Sequence, residues 1–137
     1  MSADLKFHER YADESVRFEV RMDADYLVTV RFEGKGTMAG TQAFTQLVDR
    51  CRALPGAHGR LKGLVDLSAL DGAPLRSQMV LGKWLVGCRD AFHRLAIAGG
   101  GRFERGLAKA VTAMARMENV AFTTTVEEAQ RFLVAGR

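Results

Sequence analysis

The length and composition of the chain are those of one globular domain. Its 137 residues are 47% apolar and 26% charged, which is enough apolar material to bury a core without a disulfide or a metal ion and too much for a disordered chain. The formal net charge of +4 comes from arginines interleaved with acidic residues along the chain, an arrangement that argues against a nucleic-acid-binding face.

The first predicted elements are a polar arm and a β-hairpin. Residues 1–14 lack an apolar run and are predicted to be a flexible N-terminal arm, which leaves 15–137 as a single domain. Apolar and polar side chains then alternate in two adjacent segments, 16–22 and 26–32, as in strands with one buried face. The short polar stretch between them, residues 23–25, predicts an antiparallel turn.

After the hairpin, helical and strand patterns alternate to the end of the chain. Apolar residues at i, i+3 and i+4 spacing predict helices, and short apolar runs between turn residues predict strands. The segments, in order, are a helix at 44–54, a strand at 61–67, a helix at 74–92, a strand in 94–101, a helix at 103–114, a strand in 119–126 and a closing helix at 126–134 with Thr125 and Glu128 as its capping box.

This order predicts the fold class. Strands that alternate with helices favour right-handed crossovers and parallel pairing. We therefore expect an α/β fold with a single mixed, mostly parallel sheet, a leading antiparallel hairpin and helices packed on it. In such sheets, ligands and partners meet the carboxyl ends of the parallel strands.

The pattern of cysteines and the lack of a targeting sequence predict a cytoplasmic protein. Cys51 and Cys88 fall on the predicted core faces of two helices and belong to no Cys-x-x-Cys or Cys/His cluster, so we interpret them as small buried side chains. No stretch reaches the length of a membrane-spanning helix, and the N-terminus lacks the apolar core of a signal peptide.

Three stretches carry a family resemblance. They are LVDLSAL at 64–70, RLAIAGG at 94–100 and VAFTTTVEEAQRFL at 120–133. With the order of strands and helices around them, they resemble a STAS domain, the anti-sigma-factor antagonist fold, and most of all its bacterial SpoIIAA-like branch. The resemblance covers residues 15–135, nearly the whole chain.

The resemblance implies a non-enzymatic role in signalling. STAS domains are protein-binding switches, often controlled by a kinase that phosphorylates a serine or threonine at the start of the helix after the Asp-Leu-Ser strand. A phosphate there meets the positive end of a helix dipole and adds negative charge to a docking surface. Where the family pattern has Asp-Ser-Ser/Thr-Gly, this chain has Asp71-Gly72-Ala73-Pro74, so the usual phosphorylation is not expected.

Polar residues near the carboxyl end of strand 61–67 form a candidate loop or anion site. Asp66 and Ser68 are predicted to fix the loop through hydrogen bonds to nearby backbone N–H groups. Asp71 is the expected cap of the second helix.

The glycine-rich segment 99–106 is a second candidate for binding an anion. It departs from dinucleotide-binding spacing because Glu104 stands where the third glycine belongs. Arg102 and Arg105 lie in the first turn of the next predicted helix, where the dipole disfavours cations and an anion would offset that cost. Two solvated arginines in a loop are the alternative.

Nothing in the sequence predicts an enzyme. The histidines, His8, His58 and His93, are far apart, and a pairing of Ser68 with His93 would join opposite ends of parallel strands. We predict no catalytic residues, metal ion or cofactor.

The second helix is too apolar for a single covered face. Its apolar residues wrap well past the usual stripe, so it needs a second cover besides the sheet, which is another helix, a second protomer or a ligand. The pattern leaves intramolecular burial and an interface open, and the resemblance favours an interface because this helix is part of the partner-binding surface in STAS domains. The predicted partner-binding residues are Asp71, Leu75, Met79, Lys83 and Trp84.

Two functions are consistent with these features. The first is a homodimeric interaction module that binds a regulatory protein through the second helix and the loops 34–37 and 66–74. The second is a carrier of a small apolar ligand or lipid, like the related SEC14-like domains. The residues that would line its pocket are Met79, Leu81, Trp84, Leu85, Phe103, Met114 and Met117.

Overall fold

Residues 5–99 and 119–135 are described by the structure, a computed structural model, and they form one six-stranded sheet with helices on both faces. The strands lie in the sheet in chain order, β1 to β6. The elements are β1 (Leu5–Ala12), β2 (Val16–Asp23), β3 (Leu27–Gly34), α1 (Met38–Arg52), β4 (Leu61–Leu70), α2 (Leu75–Cys88), a 3₁₀ turn (Arg89–Ala91), β5 (Phe92–Ala98), β6 (Val120–Thr123) and α3 (Val126–Ala135).

The pairing of the strands confirms the predicted fold class. β1, β2 and β3 pair antiparallel, whereas β3, β4, β5 and β6 pair parallel. The sheet is therefore mixed and mostly parallel, led by the antiparallel hairpin of β2 and β3. The helix predicted at 103–114 lies outside the described residues.

The prediction of a flexible arm over residues 1–14 is wrong for Leu5–Ala12, which form the edge strand β1. Phe7 and Tyr11 of this strand pack against the main core, and the Tyr11 ring stacks on Phe18 with 5.2 Å between centroids. The rest of β1 is exposed. Because so few of its side chains are buried, the strand has only a weak apolar pattern.

The main core lies between one face of the sheet and the helices α1 and α2. The inward residues of β2 and β3 are the alternate ones that the sequence predicts, and Val20 and Met22 are fully buried. Helix α1 adds Phe44, Val48 and Cys51. Burying a large apolar side chain contributes about 1.5–3 kcal/mol, and among the described residues this face holds most of the buried apolar side chains.

Both cysteines are buried free thiols, as predicted. Burial raises the pKa of Cys51 to about 12 and that of Cys88 to about 11. The thiolate is the reactive form of cysteine, so both side chains stay protonated and unreactive at neutral pH.

Helix α3 covers part of the opposite face of the sheet. Leu64 of β4 and Ala96 of β5 pack there against Ala129 and Leu133. The predicted N-cap is present, because the Glu128 N–H donates to the Thr125 hydroxyl at 3.2 Å. Beyond α3, this face of β2 and β3 carries ion pairs, such as that of Arg17 with Glu33.

Helix α2 is shorter than the sequence predicts. It ends at Cys88, and Phe92, which the pattern assigned to the helix, is the first residue of β5. The apolar pattern runs from the helix into the strand with little polar interruption, which hides the boundary. Pro74, rather than Asp71, immediately precedes the helix, so Asp71 is not its cap.

We expect Gly63→Ala to lower the free energy of unfolding by about 1–3 kcal/mol, the usual cost of overpacking a core. A β-carbon on Gly63 of β4 would lie 2.7 Å from Leu95 Cδ1 and 3.1 Å from Phe92 Cε1. Urea titration measures the change.

Gly87→Ala is the matched control. An added β-carbon on Gly87 of α2 meets nothing within 4 Å, so alanine should raise the free energy of unfolding by up to about 1 kcal/mol through its higher helix propensity. If Gly63→Ala left the free energy of unfolding unchanged or raised it, as expected for Gly87→Ala, the packing described around Gly63 would be wrong.

Candidate interaction surface

The loops that follow β3 and β4 are hydrogen-bonded to each other at the carboxyl ends of these parallel strands. The Asp71 N–H donates to the Gly34 carbonyl, and the Gly36 N–H donates to the Gly72 carbonyl, both at 2.7 Å. A β-carbon on Gly36 would lie 2.7 Å from that of Ala73, so only glycine allows this approach. The loops thereby bring the first turns of α1 and α2 together.

Asp13 joins the β1–β2 turn to the start of α1. Its carboxylate accepts hydrogen bonds from the N–H groups of Ser15 and Val16 at 2.8 and 2.9 Å. It also accepts from the hydroxyls of Tyr11 and Thr37 at 2.8 and 2.6 Å, and Thr37 is the N-cap of α1. The hydrogen bonds, that of Thr37 first, lower the pKa of Asp13. Sequence analysis missed this residue because it lay in the supposed arm.

Asp66 and Ser68 bond to each other within β4, on the sheet face that α3 covers in part. The N–H and the hydroxyl of Ser68 donate to Asp66 Oδ1 at 2.9 and 2.6 Å, and Arg31 Nε lies 3.8 Å from Asp66 Oδ2. These local partners occupy both groups, and the structure does not bring them together with α2. Arg102 and Arg105 lie outside the described residues.

Helix α2 has a buried inner face and an exposed apolar outer face. Leu85 and Cys88 are buried on the inner face. On the outer face, Leu75 and Met79 lie one turn apart and expose 61% and 57% of their surface. Lys83, a further turn along, is also exposed. These three residues of the predicted partner-binding set thus share one surface, which we call the α2 outer face.

Trp84 belongs to the packed part of α2. Its indole N–H donates to Asp49 Oδ1 of α1 at 3.0 Å, and its ring packs edge-on against Phe44 with 5.5 Å between centroids. The half-buried side chain therefore joins α2 to α1 rather than standing on the outer face. Asp71 is exposed in the loop before α2.

A small apolar cavity lies beneath the first turns of α2. Its volume is about 40 Å³, room for a few water molecules and far below the size of an ordinary ligand pocket. Its wall includes four polar side chains, those of Thr37, Thr41, Ser77 and Gln78. Ser77 is buried, with its hydroxyl 3.6 Å from the sulfur of Met38, and the buried Gln78 Oε1 has no hydrogen-bond partner among the described residues. The apolar part of the wall includes Phe44, Leu67, Leu70 and Leu81.

The described residues contain no assembled metal site. Within 5–99 and 119–135, no three or more His, Cys, Asp or Glu side chains are placed to hold a metal ion. In the same ranges, no helix is long and apolar enough to cross a membrane. His93 lies at the start of β5 and Ser68 near the end of β4, so these two side chains are at opposite ends of neighbouring parallel strands.

Comparison with solved structures identifies the fold. No family model matches the chain, and neither does any curated protein. A crystal structure of an uncharacterised protein of the DUF3478 family from Shewanella loihica PV-4, described as having a SpoIIAA-like fold, aligns with a TM-score of 0.59 at 22% identity, over 97% of this chain and 98% of that chain. The chain has a SpoIIAA-like fold.

This finding confirms the fold that the order of strands and helices predicts. With its two exposed apolar side chains, Leu75 and Met79, the α2 outer face is our candidate interaction surface.

We expect Asp13→Asn to destabilise the fold at neutral pH more than at acid pH. The folded state lowers the pKa of Asp13, so its carboxylate stabilises the fold above about pH 4, the ordinary pKa of aspartate, and this contribution is lost as the pH falls further. Urea titration measures the unfolding midpoint of the wild type and of Asp13→Asn at pH 7 and at pH 3. The difference between the two midpoints should be smaller at pH 3.

Asp25→Asn, in the exposed β2–β3 turn, is the control and should move neither midpoint appreciably. A gap between wild type and Asp13→Asn that is the same at both pH values would contradict the stabilising role of the Asp13 carboxylate.

Proposed function

We propose that this chain is a non-enzymatic protein-interaction module of STAS type, which binds a regulatory protein through the α2 outer face. The observation that carries the proposal is the exposure of Leu75 and Met79, 61% and 57%, on a helix whose other side is fixed in the core. Neighbouring exposed apolar side chains on a soluble domain mark interaction sites, and interface energy concentrates on a few such residues.

The helix is held in place before any partner binds. Trp84 is bonded to Asp49 of α1, and Leu85 is buried against the sheet. At the start of the helix, the loop bond between Gly36 and Gly72 fixes the chain. A rigid surface loses little conformational entropy on binding, which supports a docking role for the outer face.

We infer that the usual phosphorylation does not control this surface. The residues before α2, Gly72, Ala73 and Pro74, carry no hydroxyl. Ser77 carries the first hydroxyl within α2, and only 2% of its surface is exposed. A kinase therefore has no accessible acceptor on the first two turns, and the docking face is available without a covalent signal.

The alternative function, a carrier that holds a small apolar ligand beside α2, fits the cavities on that side of the sheet less well. The cavity beneath α2 holds about 40 Å³, and a second gap beside Trp84 and Leu85 about 10 Å³. An acyl chain needs several times this volume. The predicted lining residues Phe103, Met114 and Met117 lie outside the described residues, and native mass spectrometry of the purified chain would reveal a retained ligand as added mass.

We expect a photo-crosslinking amino acid at position 79 to capture a regulatory protein in living cells. The matched control is position 134, because Val134 is 52% exposed on α3, and α3 lies on the other face of the sheet. The captured protein is identified by mass spectrometry, purified and titrated against the chain.

Met79→Glu should then raise the Kd for that protein at least about tenfold, because it places an ionised carboxylate in an apolar contact. An unchanged Kd, or the same captured protein from positions 79 and 134, would contradict docking at the α2 outer face.

A further inference from the structure

The α2 outer face combines apolar side chains with basic ones and carries no acidic side chain. Helix α2, Leu75–Cys88, has Arg76 and Lys83 as its charged residues, and both are exposed. They are seven residues apart, which places them two turns apart on the same side of the helix. They therefore form a basic margin beside Leu75 and Met79.

These two cations have no ion-pair partner in the described part of the chain. The arginines on the opposite sheet face differ, because Arg17 pairs with Glu33 and Arg10 with Glu19. Within 5–99 and 119–135, neither Arg76 nor Lys83 lies within ion-pair distance of a carboxylate. Their charges are thus available to an external partner.

A third cation lies in the neighbouring loop. Lys35 is exposed and directly precedes Gly36, whose N–H bonds to Gly72 just before α2. The acidic residue nearby, Asp71, is also exposed. Around the first turns of α2, the exposed cations Lys35 and Arg76 thus accompany one exposed acid of the loop, Asp71.

From this arrangement we infer that α2 docks an acidic amphipathic segment of its partner, with an apolar stripe against Leu75 and Met79 and carboxylates opposite Arg76 and Lys83. The inference rests on the proposed function and names the chemistry of the partner. Complementary charge at the margin of an interface speeds association and selects among partners, whereas the apolar contact supplies most of the affinity.

Charge also disfavours a second copy of this chain on the α2 outer face. In a symmetric pairing, the same patch of both copies is in contact, so Arg76 and Lys83 of one protomer would face those of the other. The helix offers no carboxylate to compensate, and like charges facing each other oppose association. We therefore place the homodimer expected from the sequence on another surface.

The test uses three fluorescein-labelled helical peptides that share one leucine stripe and carry glutamate, glutamine or lysine at the positions beside it. Fluorescence anisotropy with the full chain should show the glutamate peptide binding at least about tenfold more tightly than the lysine peptide at low salt. The difference should largely vanish at 1 M salt, where the Debye length is about 3 Å.

Variants then locate the effect. Lys83→Glu should remove the preference for the glutamate peptide, and Lys83→Gln should reduce it. Arg131→Glu, an equal charge change at an exposed residue of α3, should leave it intact. Met79→Glu should abolish binding of the glutamate peptide, and circular dichroism checks that each variant is folded.

Three results with the peptides would overturn the inference: equal binding of the glutamate and lysine peptides, no binding of any peptide, or an equal loss of preference in Arg131→Glu. Two results with other partners would also overturn it. They are cosedimentation with phosphatidylglycerol vesicles in place of peptide binding, and a dimer in light scattering that Lys83→Glu disrupts. Equal peptide affinities that Met79→Glu still abolishes would leave α2 docking standing without the charge preference. Failure of the proposed function is recognised separately, by crosslinking at position 79.

Discussion

The parallel pairing of β3 with β4 in the middle of the sheet determines where the other elements lie. It runs from Leu27 beside Lys62 to Gly34 beside Leu70, and it places the carboxyl ends of both strands at one edge. Right-handed crossovers then put α1 and α2 on the same sheet face, where both pack into one core. Because the inner side of α2 packs on the sheet and on α1, Leu75 and Met79 face outward.

Elements with a clean apolar period were predictable from the sequence, and those without one were not. The β2–β3 hairpin and α1 have alternating or helical patterns, and both are present. β1 was missed because only Phe7 and Tyr11 of its side chains pack on the core. The end of α2 was misplaced because Phe92 continues its apolar pattern into β5.

The sequence predicts which helix forms the candidate site, but it does not predict which side chains are exposed there. The apolar pattern shows that α2 has more apolar surface than one contact covers, yet it does not show which of its residues face the solvent. Trp84 was selected by residue type, but its indole N–H finds Asp49, 35 residues away, and no local pattern reveals such a contact. Asp13 was overlooked because its bond to Thr37 also depends on the fold.

The exposure of the α2 outer face in the free protein is directly measurable by methionine oxidation. Met79 is 57% exposed, whereas Met22 of β2 is fully buried, and oxidation of a thioether follows its exposure. We predict that dilute hydrogen peroxide oxidises Met79 at least about tenfold faster than Met22 in the native protein, as followed by mass spectrometry of their peptides, and that urea removes the difference. Native protection of Met79 equal to that of Met22 would mean that this face is covered, and it would contradict an open docking surface on α2.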